Sequence, residues 1–284
     1  MKRGLVLEGG SLRGLFTAGI LDVMMENNIP IDGIIGVSAG ACFGCNYKSN
    51  QPGRVIRYNK RFGNDPRNCG LGSLIKTGNY FNAEFAYHIV PNEYDIFDVK
   101  NFNSSPIEYY IVCTDVTTGK PVYKKCEKAG DEFLEWIRAS SSMPLVSKVV
   151  NVGGMQLLDG GVADSVPLEY FESIGYDRNI VILTQPEGYV KHHLKAMPLV
   201  KLSLRKYPAM IKAMDERHLM YNKQLDFLRK AEQEGRCLVI RPEQKLKIGH
   251  LSTSPEEMQR VYEIGRKAGE KYINDIKVFF EIDR

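Results

Sequence analysis

Gly36-Val37-Ser38-Ala39-Gly40 follows an apolar run at 31–35 and precedes a segment of small residues. This G-x-S-x-G pattern is typical of a nucleophile elbow, where a strand ends, the chain turns sharply and a serine hydroxyl is exposed at the start of a helix. Glycines suit the turn because a Cβ atom would crowd the approaching backbone. The pattern predicts a serine nucleophile at an elbow flanked by Gly36 and Gly40. The alternative is a Gly/Ser-rich turn without chemistry.

A second glycine-rich loop precedes the elbow. Its sequence is Glu8-Gly9-Gly10-Ser11-Leu12-Arg13-Gly14. The loop lies between a short apolar strand and a helical pattern, so its backbone N–H groups can converge on an anion. It matches neither G-x-G-x-x-G nor a P-loop, which argues against a nucleotide site. An oxyanion hole would explain why this loop and a serine elbow occur in one chain.

A third segment, Leu157-Leu158-Asp159-Gly160-Gly161, ends an apolar run with a carboxylate. Asp-Gly is also a common signal for a hairpin turn, and that alternative stays open for the segment taken alone. Together with the elbow and the glycine-rich loop, the segment supplies a candidate acid–base partner for the serine.

These three segments, in this order, resemble the patatin-like phospholipase family, which includes bacterial serine esterases and lipases. The resemblance covers most of the chain and includes 139–144 and 159–167. It implies that Ser38 is the nucleophile and Asp159 its partner in a Ser-Asp dyad, and that Arg13 occupies the family's basic position. The implied oxyanion hole comprises Gly9, Gly10, Ser11, Leu12, Arg13 and Gly14. Two residues depart from the family pattern: Glu8 replaces Asp, and Ser11 replaces a third Gly where a positive φ would disfavour serine.

A Ser-Asp dyad predicts a serine-dependent hydrolase of lipid acyl esters, of the lipase or phospholipase A type, with no metal or organic cofactor. Aspartate is a weak base with an ordinary pKa near 4, but it can accept the serine proton in the transition state of a water-excluding site. One alternative is a Ser-His-Asp esterase of the α/β-hydrolase type, with His250 as the base. Only about two strands precede Ser38, which disfavours that fold. Another alternative is a catalytically inactive lipid- or acyl-binding protein.

Composition indicates one globular domain over 1–284. Of the 284 residues, 43% are hydrophobic and 25% charged, close to average usage. The basic start of the chain lacks the apolar stretch of a signal peptide, and no run of about 18 apolar residues predicts a spanning helix. We expect a cytoplasmic protein. A peripheral location at the inner face of the membrane is the alternative. Six scattered cysteines suggest reduced thiols, and Cys42 and Cys45 lack the second pair of a zinc site.

Alternating elements predict an α/β fold, a layered α/β/α sandwich around a mostly parallel sheet. Residues 49–104, rich in Asn, Gly and Pro, give no clear pattern. Strands are predicted over 4–7, 33–37, 107–114, 121–125, 149–152, 156–158, 179–183 and 237–241. Helices are predicted over 15–27, after the elbow, over 131–140, and from 255 to about 275 behind a capping box at Ser254.

The segment from 190 to 230 is unusually basic. It has ten Lys and Arg against three Asp and Glu, or +7, whereas the whole chain is +4. Methionines and leucines interleave with these charges. One interpretation is a helical cap over 190–235 that touches anionic lipid and admits an acyl chain. The other is an amphipathic helix pair with a solvated basic face. No nucleic-acid motif accompanies the charge, so no nucleic-acid partner is expected, and nothing indicates an oligomeric state.

Overall fold

The computed structural model describes residues 1–249 and 251–282, and its centre is an eight-stranded sheet. The strands are β1 (Arg3–Leu7), β2 (Gly33–Val37), β3 (Glu108–Asp115), β4 (Pro121–Lys125), β5 (Val150–Val152), β6 (Met155–Asp159), β7 (Arg178–Ile182) and β8 (Cys237–Ile240). Their order is β5-β6-β3-β2-β1-β7-β8, and β4 also pairs with β3. The run from β3 to β8 is parallel, while β4, β5 and β6 are joined through antiparallel pairs.

Helices lie on both faces of this sheet. They are α1 (Gly14–Glu26), α2 (Ala39–Lys48), α3 (Arg54–Phe62), α4 (Leu71–Thr77), α5 (Val99–Ser104), α6 (Asp131–Ser140), α7 (Leu168–Ser173), α8 (Met197–Ser203), α9 (Pro208–Gln233) and α10 (Pro255–Phe279). None of the helices over 1–249 and 251–282 is both long enough and apolar enough to cross a membrane.

The side chains of each central strand alternate between two apolar cores. On β1, Leu5 and Leu7 pack in a core with α1, α2, α6 and α10, whereas Val6 packs in another core with α7 and α9. Residues of β3 and β7 alternate in the same way. A strand in a parallel sheet with both faces covered is nearly continuously apolar, as β1 is after Arg3. The predicted α/β/α sandwich with a mostly parallel sheet is therefore confirmed.

The sequence left 49–104 unassigned, and the structure places α3, α4, a π-helix over Phe85–Tyr94, and α5 there. The last helix ends at Phe279 and not near residue 275. Its N-cap is as expected, since Ser254 Oγ accepts a hydrogen bond from the Glu257 amide at 3.2 Å. Asp159 is followed by a 3₁₀ turn over Gly160–Val162 and not by a hairpin turn.

The basic segment forms the helices α8 and α9. Its methionines are mostly structural, because Met197, Met210 and Met214 are buried in a small core with residues of β6 and the turn after it. The C-terminal half of α9 packs on the sheet through Tyr221 and Leu228. Leucines on the opposite side of the two helices remain exposed, so the pair is amphipathic.

Candidate active site

The register of β3 brings the two candidate catalytic residues together. Residues 108–112 of β3 pair with β2, and residues 113–115 pair with β6. Since β4 occupies the other edge of β3 over 110–114, β2 and β6 must share one edge. Val37, the last residue of β2, lies opposite Val112, and Asp159, the last residue of β6, lies opposite Cys113. The two strands therefore end facing each other.

Ser38 lies at the strained turn that the elbow motif predicts. Its backbone has φ 54° and ψ −122°, and it is the N-cap of α2. A non-glycine residue in such a conformation is strained and must be held by its surroundings. The Ser38 amide donates to Ser140 Oγ at 2.9 Å, and the Ser140 hydroxyl donates to Val112 O at 2.6 Å. Ser140 thereby ties the turn to β3.

Gly36 and Gly40 are required by close packing. An ideal Cβ at Gly40 would lie 2.4 Å from Leu7 O, and one at Gly36 would lie 2.6 Å from the Ala41 backbone. Both distances are shorter than a non-bonded contact of a carbon atom allows, and the contacted atoms belong to backbone that cannot move aside. The two glycines let the first turn of α2 lie directly against β1 and β2.

Asp159 is buried beside the serine, with 1% of its surface exposed. Its Oδ1 accepts the Gly161 amide at 2.8 Å, whereas Oδ2 has no hydrogen-bond partner among the described residues. Burial raises the pKa of the Asp159 carboxyl above its ordinary value, although the Arg217 charge, the Ser38 hydroxyl and the Gly161 amide each lower it. The hydroxyl is thus near the carboxylate without a fully formed hydrogen bond, as is common in unliganded sites.

The glycine-rich loop lies against Ser38. An ideal Cβ at Gly9 would be 2.9 Å from Ser38 Cβ. The Arg13 amide donates to Gly10 O at 3.1 Å, and the Gly14 amide donates to carbonyl groups of the 3₁₀ turn over Ser11–Arg13. The Gly9 and Gly10 amides take no part in those bonds. Ser11 has φ 51°, so the position where the family has glycine does adopt a positive φ, and serine accepts it here.

Glu8 joins this loop to α9. It is 3% exposed, and its carboxylate accepts the Thr184 amide at 2.5 Å, the Thr184 hydroxyl at 3.0 Å and the Tyr221 hydroxyl at 2.5 Å. Three donors satisfy this buried carboxylate, which would otherwise be costly. The replacement of aspartate by the longer glutamate is consistent with this reach across to α9.

Arg217 on α9 also reaches the site. Its Nε donates to Gly161 O at 2.6 Å, two residues beyond Asp159. In the sequence, Arg217 and Lys191 are two of the ten basic residues over 190–230, and nothing distinguishes them, Tyr221 or Thr184 as residues of the site. No local motif marks these positions, because their side chains act from a long helix and a loop far along the chain.

The described histidines do not contact the dyad. His88 contacts Glu135 at 2.9 Å and His193 contacts Asp215 at 2.7 Å. His250, the base of the alternative triad, lies outside the described residues. Cys42 and Cys45 lie on α2, and within 1–249 and 251–282 no three His, Cys, Asp or Glu side chains form a group that could hold a metal ion.

A family model describes the strands and turns that build this site. The model for patatin-like phospholipase matches residues 5–172, more than half of the chain. The chain therefore belongs to the patatin-like phospholipase family, as the sequence motifs predicted. A second model, a domain of unknown function (DUF6363), matches residues 207–281, which include α9 and α10.

The individual proteins and structures that resemble this chain share about a quarter of its residues or fewer. The uncharacterized protein YjjU of Escherichia coli K12 is 26% identical over 283 residues, covering 95% of this chain and 76% of that protein. Lysophospholipase nte1 of Aspergillus fumigatus is 24% identical over 298 residues, covering 96% of this chain but only 18% of that protein. Among solved structures, VipD from Legionella pneumophila is similar with a TM-score of 0.46 and 12% identity, over 96% of this chain and 67% of that one.

Proposed function

We propose that this protein is a serine-dependent hydrolase of lipid acyl esters, a carboxylic ester hydrolase of the lipase or phospholipase A type. The observation that carries the proposal is the meeting of β2 and β6 on one edge of β3, where the Ser38 hydroxyl interacts with the buried Asp159 carboxyl. Membership of the patatin-like phospholipase family and similarity to a lysophospholipase support lipid esters as the substrate class.

In the proposed reaction, Ser38 Oγ attacks the ester carbonyl carbon while its proton passes to Asp159. The oxyanion accepts hydrogen bonds from the backbone N–H groups of Gly9 and Gly10 in the glycine-rich loop. It also lies at the N-terminus of α2, where the helix dipole favours negative charge. The carbon–oxygen bond to the alcohol then breaks, and the alcohol leaves with the proton. Water, deprotonated by Asp159, attacks the acyl-enzyme, and Ser38 leaves with that proton. Burial favours this exchange because it keeps the carboxylate dry and raises its pKa.

The experiment is labelling with a fluorophosphonate probe, together with hydrolysis of p-nitrophenyl esters of graded chain length. We expect the wild type to be labelled and active, and Ser38→Ala to be neither. Ser173→Ala and Asp177→Asn, which change exposed residues distant in sequence from both Ser38 and the glycine-rich loop, should behave as wild type. If His250→Ala were as inactive as Asp159→Asn, the Ser-His-Asp alternative would replace the dyad. An unlabelled, inactive wild type would favour the acyl-binding alternative.

We propose further that the whole chain is one hydrolase domain, with 190–235 as a cap that touches anionic lipid. On α8 and α9, Leu199, Leu202 and Leu219 are 60%, 68% and 61% exposed beside several lysines. Exposed apolar side chains amid basic ones are typical of a helix that lies in the membrane interface.

Vesicle sedimentation tests the cap. Phosphatidylglycerol vesicles should bind the protein, phosphatidylcholine vesicles should bind it more weakly, and the Leu199→Ser/Leu202→Ser variant should lose binding. Ile75→Ser, at a position on α4 that is 84% exposed, is the matched control. Equal binding of all three proteins, or of both lipids, would contradict the proposed contact.

A further inference from the structure

Two half-buried cations of the basic segment, Lys191 and Arg217, lie next to the candidate active site. Arg217 and Tyr221 are four residues apart, so they lie on one face of α9. On that face the Tyr221 hydroxyl contacts Glu8, next to the glycine-rich loop, and Arg217 Nε contacts Gly161 O, next to Asp159. The ammonium group of Lys191 lies 4.4 Å from the centre of the Tyr221 ring. The two cations therefore flank the loop and the dyad.

The backbone holds Lys191 in this place. Its N–H donates to Asn222 Oδ1 at 2.9 Å, and Asn222 Nδ2 donates to its carbonyl oxygen at 3.0 Å. Asn222 follows Tyr221 on α9, so the loop that carries Lys191 is fixed to the same helix. The ammonium group lies over the rings of Tyr221 and Tyr189, at 4.4 and 5.8 Å from their centres, and such contacts leave its hydrogen atoms free for an acceptor.

Among the described residues, neither Lys191 nor Arg217 forms an ion pair with a carboxylate, whereas three other cations of the basic segment do. Lys212, Arg229 and Lys230 of α9 form ion pairs with carboxylates of that helix or of its C-cap. In the part of the chain that the structure describes, no carboxylate lies within 4.0 Å of Lys191 or Arg217 in an ion pair.

The electrostatics agree with an excess of positive charge at this place. Burial, together with the charges of Arg217 and Arg13, lowers the pKa of the Lys191 ammonium group to about 8, although the Glu8 charge acts to raise it. Glu8 already accepts three hydrogen bonds, from Thr184 and Tyr221. Three cations thus surround two carboxylates, those of Glu8 and Asp159, in a half-buried space. An anion bound there would offset the repulsion.

We propose that Lys191 and Arg217 form a subsite for an anionic oxygen group of the ester substrate, namely the phosphate of a lipid headgroup. Arg217 can present its remaining N–H groups and Lys191 its ammonium group to phosphate oxygens, and such charge-assisted hydrogen bonds are the strong ones. The proposal rests on the proposed function, because the same molecule must place its ester at Ser38. It makes the substrate a phospholipid or lysophospholipid and not a neutral glyceride.

Binding is tested first, without turnover. Ser38→Ala protein is titrated calorimetrically with sn-glycerol 3-phosphate, with inorganic phosphate and with glycerol. We expect glycerol phosphate to bind more tightly than the other two, and the added Lys191→Met or Arg217→Met change to weaken it about tenfold or more. Lys223→Met, at an exposed position of α9, is the matched control. Undiminished binding in both Met variants would overturn the proposal. Equal affinity for inorganic phosphate would overturn the headgroup assignment and indicate a free-phosphate site.

Turnover is tested second, with two esters of the same acyl chain. The ratio of kcat/KM for a lysophosphatidic acid to that for a monoacylglycerol should exceed one in the wild type, and should fall about tenfold in Lys191→Met, mainly through KM. An unchanged ratio would overturn the subsite. If the wild type hydrolyses neither ester while glycerol phosphate still binds through Lys191, the hydrolase proposal fails and the subsite stands. Urea denaturation of each variant checks that the fold is kept.

Discussion

The strand side and the helix side of the candidate active site are built in different ways. The strand side places Ser38 and Asp159 at the ends of β2 and β6, on short turns that admit only glycine at several positions. The helix side reaches the site through Arg217 and Tyr221, long side chains from the middle of α9. A tight turn leaves a local pattern in the sequence, whereas a long side chain on a helix does not. The difference teaches that motifs reveal the reacting groups more readily than the groups that surround them.

Removing a reacting group on the strand side should have the largest effect. Ser38→Ala and Asp159→Asn should each lower kcat/KM by about 10⁴-fold, as removal of one member of a nucleophile–base pair does. Because the two residues act as a unit, the double variant should be little worse than either single variant. Steady-state hydrolysis of one p-nitrophenyl ester measures all three proteins. Additive losses would show that the two residues do not act together.

Crowding the strand side should come next. An added Cβ at Gly40 would meet Leu7 O at 2.4 Å, so Gly40→Ala should lower the free energy of unfolding by about 1–3 kcal/mol. Gly72→Ala, on α4 with no atom within 4 Å of the added Cβ, should be neutral or slightly stabilising. Urea denaturation compares the two, and equal stabilities would contradict the steric requirement.

Cutting the helix side from the glycine-rich loop should have an effect of similar size on stability. Tyr221→Phe removes the hydroxyl that donates to the buried Glu8 carboxylate, so we expect a loss of about 1.5–3 kcal/mol of unfolding free energy. Tyr189→Phe is the control, because the ring centres of Tyr189 and Tyr221 lie 6.0 Å apart. If both variants unfold at the same urea concentration as the wild type, Tyr221 does not hold the loop.

Removing the Arg217 charge should change pH dependence most clearly. The Arg217 guanidinium lowers the pKa of Asp159, so Arg217→Met should raise that pKa. The basic form of Asp159 must accept the serine proton, and activity is lost as the pH falls through its pKa. The acid limb of kcat/KM for a neutral ester should therefore move to higher pH, and Arg217→Lys should move it less. An unmoved limb in Arg217→Met would exclude this influence.

Strands and helices with a local pattern were predicted well from sequence. Gly33–Val37 and Asp131–Ser140 have the predicted bounds, because an apolar run before glycine and an amphipathic helix each carry their own signal. The region 49–104 was not predicted. Its short helices depend on distant partners, such as the buried Arg54–Asp95 pair at 3.4 Å. A π-helix with Pro91 inside it also contradicts local propensity.

The candidate site was predicted in the same uneven way. The glycines that flank Ser38 and Asp159 identify both residues in the sequence. The replacement of a family glycine by Ser11 also indicates a position with positive φ, which the structure has. The contacts of Glu8 with Thr184 and Tyr221 join residues 176 and 213 positions apart, and no spacing rule relates them. Contacts between such distant residues depend on how the whole chain packs, so only the three-dimensional structure reveals them.

The shared edge of β3 has a consequence for refolding. Ser38 and Asp159 are 121 positions apart in the chain (159 − 38), yet their strands end opposite consecutive residues, Val112 and Cys113. Pairings between distant segments form late and slowly, since a long loop must close first. A slip of β6 by two residues would displace the carboxylate by about 7 Å while leaving every side chain on its proper face. After dilution from denaturant, hydrolysis should therefore recover only when β6 has paired with β3 in the correct register. We expect this recovery to be slower than the circular-dichroism signal of helix formation.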